Sequence, residues 1–472
     1  MEILEFFFNI FFVLALGWYL ITNLQWYDYR LERVVFKHHK RVWHLYYFVV
    51  PFIAYFFAQS FSYIVVAIYL AALYLWHRDL DKKLVLTQRV KRFLIVLFSL
   101  TLFIDMMLAL KGISVTYSVL FPLVLAYLIS AGVENFLFNI YKKQASLKLQ
   151  SKKDLIIIAI TGSYGKTSMK NFVSEVLSKK YRVYMTPRSV NTLGGIIKDI
   201  NESLPDDAEV YICEAGAREV GDIYSITQLL HPHYVVVGKI GEAHIEYFKT
   251  IDTIRRTKLE IIHSDRLLKA FIHSSVTDEP HELVEFFGDE LEDVSSNLDG
   301  TTFRFRGVDY HTDILGSFQT ININAAIVLA LELGLSTDEI SSAISTLPAV
   351  EHRLQKIEAG GKIILDDGYN GNIDGMLEAI RLCSLHSGRK VIVTPGLVES
   401  RDELNITLAE AIDGVFDIAI ITGELNRELF KTHLKNPRVI ILEDKSLLVD
   451  TLAKETTAGD IILFANDAPN FI

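Results

Sequence analysis

Residues 160–168 read ITGSYGKTS, the densest concentration of chemistry in the chain. Gly162 and Gly165 leave backbone N–H groups uncovered, Lys166 adds a cation, and Thr167 and Ser168 add hydroxyls. The apolar run at 155–159 before them is short and rich in Ile, as a buried parallel strand is. After them Met169, Phe172, Val173, Val176 and Leu177 recur at helical spacing. Strand, glycine turn, lysine, threonine and helix make a phosphate-binding loop: bare N–H groups and a helix N-terminus face the anion, Lys166 meets the outer phosphates, and the Thr167 hydroxyl holds magnesium. The expected ligand is ATP, cradled by Gly162, Ser163, Tyr164, Gly165, Lys166, Thr167 and Ser168. Only Ser163 and Tyr164 separate the two glycines, where the common pattern has four residues, so an ordinary strand-to-helix turn is the competing reading.

A loop of this kind needs a parallel sheet to carry it. Residues 209–213 form an apolar strand that ends at Glu214, and 234–238 form another. A carboxylate at the C-terminal end of a strand beside a phosphate loop is placed to hold magnesium, which makes Glu214 a metal candidate. Residues 151–348 are therefore expected to be an ATP-binding α/β domain, whose stretch 269–315 alternates like a β-ribbon. From 349 to 472, strand-like runs at 362–365, 390–393, 418–422, 439–442 and 460–464 alternate with helical segments, which predicts a second, Rossmann-like α/β domain. It has no GxGxxG, so no dinucleotide is expected there. Cys213 and Cys383 sit in apolar runs and read as core thiols.

The front of the chain is a different material. Half of all residues are hydrophobic and mean hydropathy is +0.28, an excess concentrated in residues 1–150. That segment carries 15 Lys and Arg against 8 Asp and Glu, whereas 151–472 carries 32 against 49. A basic apolar front on an acidic back points to a membrane segment bearing a cytosolic part and away from nucleic-acid binding. Residues 3–22, 42–76 (read as a hairpin of two short helices around 58–60), 93–110 and 113 to about 137 give five crossings. Arg30, Arg33, Lys37, Lys40 and Arg41, then Arg78, Lys82, Lys83, Arg89, Lys91 and Arg92, then Lys142, Lys143 and Lys148 all fall on one side of that topology, together with the ATP loop. The expectation is a multi-pass protein of the cytoplasmic (inner) membrane, in contact with membrane lipid and with its catalytic domains in the cytoplasm. Asp105 lies within an apolar span and reads either as functional or as a residue near the outer headgroups or paired with Lys111.

Four segments, TGSYGKTS, EAGAREVGDI, IGEAHIEYF and TKLEII, occur in an order and spacing that resemble the Mur ligases, in particular those that add D-alanyl-D-alanine to a UDP-N-acetylmuramoyl tripeptide. GSFQTININAA, EHRLQ and DDGYNGNIDGM extend the likeness, which covers about residues 155–465. The resemblance implies an ATP-dependent, ADP-forming ligase that makes an amide bond through an acyl phosphate. It implies magnesium ligands at Thr167, Glu214 and His244, with a carbamylated Lys258 as an additional ligand and Lys166, His244 and Lys258 as the catalytic set. Asn322 would approach the adenine, against the alternative that it caps its helix; Arg353, Asp366, Asp367, Tyr369 and Asn370 would close over ATP and substrate. Set against the resemblance, Lys258 also reads as a solvated helix lysine and His244 as a loop histidine.

The sequence departs from the family pattern at Gln319, His352, Ile373 and Ala465-Asn466-Asp467, which stand in place of Asn or His, Gly, Pro and KGS. Its front also replaces the small α/β domain with which the soluble enzymes grip the UDP end. UDP-muramoyl peptide and D-alanyl-D-alanine are the expected substrates, and cell-wall precursor enzymes at the membrane the expected neighbours. Two alternatives stand beside this: a Mur-like ligase for another peptide or a lipid-linked muropeptide, and a membrane ATPase or transporter component driven by the phosphate loop. Few polar residues lie inside the spans, which counts against a transport path.

Overall fold

The computed structural model describes residues 2–466 except 28, 37, 39, 59, 60, 81, 189, 242–244, 278–281, 370 and 399. Its contacts divide into two compact units, Met1–Ile140 and Tyr141–Ile472. Both are built by the same rule, apolar faces turned inward, but the outer faces differ in character.

The first unit is helical. Leu4–Trp26, Gln88–Leu110 and Val115–Ser151, the last running into the second unit, are long and apolar enough to cross a membrane; Val42–Ala58 and Ser62–Arg78 are shorter apolar helices. Leu45–Val49 within the first of these winds as a π-helix, just ahead of Pro51, which has no N–H to give the helical ladder. Phe12, Leu16, Tyr19, Tyr55, Tyr69 and Leu97 fill the interior, with the Phe12 and Tyr55 rings stacked at 4.1 Å. Outside, Phe57, Leu110 and Phe136 are 75%, 77% and 66% exposed, an apolar outer surface that suits lipid and not water.

Asp105 is fully buried in this bundle. It accepts hydrogen bonds from Asn9 Nδ2 (3.0 and 2.8 Å) and Ser118 Oγ (2.7 Å), and Tyr55 OH donates to Asn9 Oδ1 at 3.0 Å. Its partners are thus Asn9 and Ser118, not Lys111. Asp105→Ala removes the carboxylate that Asn9 Nδ2 and Ser118 Oγ share, leaving Asn9 only Ser118 Oγ (3.1 Å) and Ser118 only Val115 O (2.8 Å), and should cost about 1–2 kcal/mol of bundle stability. Thermal unfolding of the detergent-solubilised chain reads this; a transition temperature unchanged from wild type would remove the cluster's assigned role.

Among the described residues the second unit contains three sheets. The first is parallel throughout, in the order β2 (Val183–Met185), β3 (Val210–Glu214), β1 (Ile156–Thr161), β4 (Tyr234–Val237), β5 (Lys269–His273), β6 (Val284–Phe287). β7 (Leu291–Asn297), β8 (Gly300–Phe305) and β9 (Val308–Thr312) form an antiparallel ribbon. In the last sheet β10 (Gln355–Ala359) runs antiparallel to β11 (Lys362–Asp367). The rest is parallel: β11, then β15 (Ile461–Ala465), β12 (Lys390–Thr394), β13 (Ile418–Thr422) and β14 (Arg438–Leu442).

Helix Lys166–Leu177 buries Met169, Phe172, Val173, Val176 and Leu177 on the first sheet, and helix Gln319–Glu332, buried along most of its length, packs beside it. Each such side chain contributes roughly 1.5–3 kcal/mol. This is the packing that fixes the turn between β1 and its helix. Cys213 and Cys383 are free and buried.

Candidate functional site

The loop after β1 lies at the carboxyl edge of the sheet, between the ends of β3 and β4. Gly165 is the N-cap of helix Lys166–Leu177 with φ of 72°, a left-handed position that glycine adopts without cost. A Cβ there would stand 2.4 Å from Asn322 Oδ1. Ser163 N donates to Lys239 O and Ser163 Oγ to Gly241 O, both at 3.1 Å, while the Tyr164 ring closes over Gly241. Ser168 is buried in the first helical turn. Lys166 folds back so that Nζ donates to Gly162 O (2.9 Å) and Ser163 O (3.1 Å), within reach of whatever the loop holds. Loss of water lowers its pKa and Glu214 acts against that.

Thr167 Oγ1 donates to Glu214 Oε2 at 3.0 Å, so the hydroxyl and the carboxylate, 47 residues apart in sequence, form one oxygen pair. Glu214 is 2% exposed at the end of β3, and Asn191 Nδ2 donates to its other oxygen at 3.1 Å. Lys170, 1% exposed, lies 3.6 Å from Glu214 Oε2 and donates to Thr186 O and Arg188 O. Among the described residues no three His, Cys, Asp or Glu side chains gather as a metal cluster. One carboxylate and one hydroxyl are nevertheless hard oxygen donors of the kind magnesium takes when substrate phosphates and water complete its shell, so the residues fit that ion.

Lys258 rides on helix Ile251–Leu259, whose start is capped by the Thr250 side chain accepting from Thr253 N. It is 3% exposed and so is not a solvated lysine. Burial, then the charge of Lys166, pushes its pKa down to about 7 against the pull of Asp222, Glu214 and Glu260. Near neutrality a large share of it is therefore free amine. His244 lies outside the described residues. His231 and His233 are structural: the first pairs with Asp265 at 2.6 Å, the second accepts from Ile157 N at 3.0 Å.

Asn322 does not cap its helix, where Phe318 holds the N-cap; its Nδ2 donates to Gln319 Oε1 at 2.7 Å and its Oδ1 faces Gly165. Arg353 follows the linker, in electrostatic reach of Asp367, Glu214 and Lys166. Asp367, 7% exposed at the end of β11, is pushed up to about 6 by burial, against Arg353 and the Leu354 N–H. Asn370 and Asp467 lie outside the described residues. Asn466 has φ of 63° and ties two loops together, accepting from Gly371 N at 3.0 Å and donating to Gly396 O at 2.9 Å. Ile373 opens helix Ile373–Ser384 directly after the Asn372 cap, a position that suits proline equally well.

Lys170 and Asn191, the two unforeseen partners of Glu214, carried no motif of their own; Lys170 showed only as a charge four residues beyond Lys166 on an otherwise apolar helix face. Gly165→Ala should weaken nucleotide binding by about tenfold or more, because a left-handed alanine costs about 1–2 kcal/mol and its Cβ meets Asn322. Nucleotide titration of the variant checks this.

Residues 160–330 match the model of the Mur ligase middle domain. The UDP-N-acetylmuramoyl-tripeptide--D-alanyl-D-alanine ligase of Bacillus subtilis (strain 168) is 28% identical over 333 residues, 65% of this chain and 72% of that protein. The enzyme of that name from Treponema pallidum (strain Nichols) is 28% identical over 337 residues, 66% and 71% of the two chains. Among solved structures, MurF ligase from Thermotoga maritima in complex with ADP aligns with a TM-score of 0.60 at 26% identity, over 70% of this chain and 80% of that one. MurF from Acinetobacter baumannii, at 21% identity and a TM-score of 0.61, shares the fold over 69% and 77%. With the loop, the Glu214–Thr167 pair and the two α/β sheets in place, these matches show a Mur ligase middle domain at residues 160–330, in a chain similar to the Mur ligases over about two thirds of its length.

Proposed function

We propose that this chain is an ATP-dependent amide ligase of peptidoglycan precursor synthesis that joins D-alanyl-D-alanine to a UDP-N-acetylmuramoyl tripeptide. The observation that carries the reading is the meeting of Lys166, Thr167 and Glu214 at the carboxyl edge of one sheet. The names of the relatives from Bacillus subtilis and Treponema pallidum supply the substrates, and the ADP in the Thermotoga maritima enzyme supplies the nucleotide class.

In this reaction an oxygen of the peptide carboxylate attacks the γ-phosphorus and ADP leaves. The dipeptide amine then attacks the acyl carbon; the C–N bond forms, the C–O bond to phosphate breaks, and the amine gives up a proton. Two groups of like charge must be brought together in the first step, and the cleft is built to offset that repulsion. Gly162, Ser163, Tyr164 and Gly165 present the loop backbone to the phosphates, and Lys166 exchanges its carbonyl partners for phosphate oxygens. Thr167, Glu214 and His244 are the proposed magnesium ligands, and bound magnesium supplies charge neutralisation at the phosphoryl oxygens. Lys258, depressed to about 7, is poised for its free amine to bond the carbon of CO2 and release one proton, becoming an anionic carbamate that serves the same ion. Asn322 lies beside the adenine, and Arg353 and Asp367 reach the nucleotide from the C-terminal domain.

The helices of residues 1–140 are proposed to cross the cytoplasmic membrane five times in contact with lipid, leaving the ligase domains in the cytoplasm near the enzymes that next handle the product. Carbonate-washed membranes should retain the chain. A lipid-linked muropeptide is the second acceptor reading, favoured by the helices Leu4–Trp26, Gln88–Leu110 and Val115–Ser151, which are long and apolar enough to enter a bilayer. The deciding test of reaction type is phosphate release by the detergent-solubilised chain. Release that needs both a muropeptide carboxylate and an amine supports ligation; steady release with ATP alone points to a membrane ATPase instead.

A further inference from the structure

Three consecutive linker residues are each tied to the end of β11. The His352 ring pairs through Nδ1 with Asp366 Oδ2 at 2.7 Å, and Asp366 is fully buried. Arg353 Nη1 donates to Tyr369 O at 2.6 Å, and its guanidinium lies 4.9 Å from the centre of the Tyr369 ring. Leu354 N donates to Asp367 Oδ1 at 3.2 Å. The residues on either side of the arginine, His352 and Leu354, have φ of 58° and 54°, a left-handed conformation that side-chain-bearing residues rarely adopt without compensation. Leu354 finds it by burying its side chain in the core of the C-terminal domain. For His352 the compensation is the pair with Asp366.

We propose that His352 is a positioning residue: by pairing with Asp366 it fixes the left-handed turn that aims Arg353 across the cleft at the nucleotide phosphates. The proposal rests on the reading of residues 160–168 as the nucleotide site. It follows from geometry. Arg353 lies in electrostatic reach of Lys166 and Glu214, and a guanidinium recognises phosphate only when its planar fork is held in orientation. Among the described residues the contacts that hold that fork from its own side are to Tyr369, so the backbone beneath it must be fixed by its neighbours.

His352→Gly tests this cleanly, since glycine accepts the left-handed conformation while removing the tie to Asp366. Affinity for ADP should fall about tenfold, and kcat/KM for ATP by a similar factor, while KM for the dipeptide stays near wild type; the unfolding temperature should fall as well, because buried Asp366 loses its Oδ2 partner. His352→Asn tolerates the same backbone and donates to Asp366, so it should recover most of the loss. Unchanged ADP affinity in His352→Gly overturns the proposal, as does a loss shared equally by ATP and dipeptide. If the wild-type chain binds ADP but makes no amide bond, the ligase reading fails and the ADP titration alone decides the role of His352.

Discussion

Lys166→Ala should lower ATP-dependent ligation by about a thousandfold or more. Its ammonium is the loop cation proposed to meet the phosphates, and groups that neutralise charge developing in phosphoryl transfer contribute about 10³–10⁵ in rate. The fold should survive, because Nζ bonds only to the carbonyls of Gly162 and Ser163, which the loop can present to water. Single-turnover kinetics at saturating ATP measure the effect, and a folded variant with near-normal turnover would remove Lys166 from the catalytic set.

Replacing Lys258 should be nearly as damaging to activity, about 10²–10³-fold for Lys258→Met, on the scale of losing one transition-state electrostatic group. Stability should move the other way. The lysine in the folded, unmodified chain has a pKa of about 7 against an ordinary 10.5, so between those values the unfolded chain binds more protons and stability rises with pH. Below about pH 7 the full cost of burying the cation is present. In CO2-free buffer Lys258→Met should therefore be the more stable protein at pH 7, with the gap closing as pH approaches 10. Denaturant titration of both proteins across that range checks the sign. Added bicarbonate should raise wild-type activity and leave the variant unmoved; a wild type indifferent to CO2 would contradict the carbamate.

Much of this was readable from residue types because the relevant signals are local. The run at 155–159 and the helix that follows show their periods within a few residues, and β11 to β15 fall on the apolar runs that suggested them. Helix Thr337–Ser345 likewise begins at a capping box of Ser336 and Glu339. What was not readable depends on distance in sequence. Lys170 and Asn191 became partners of Glu214 only when β1, β3 and the loop before helix Leu193–Glu202 came together. β10 is short, half polar and paired antiparallel at the sheet edge, so no apolar run announced it. His352 and Asn466 could be seen to depart from the family pattern, but not that both adopt left-handed backbone and bond through their side chains. Asp105 was conspicuous in its apolar span, yet its partners Asn9 and Ser118 lie 96 and 13 residues away.

The chain should make an amide bond at the expense of ATP. Detergent-solubilised full-length protein given ATP, magnesium, UDP-N-acetylmuramoyl tripeptide and D-alanyl-D-alanine should yield the pentapeptide product by mass spectrometry, with one ADP and one phosphate for each bond formed. ATP binding without any joined product, whichever muropeptide or dipeptide is supplied, would contradict it.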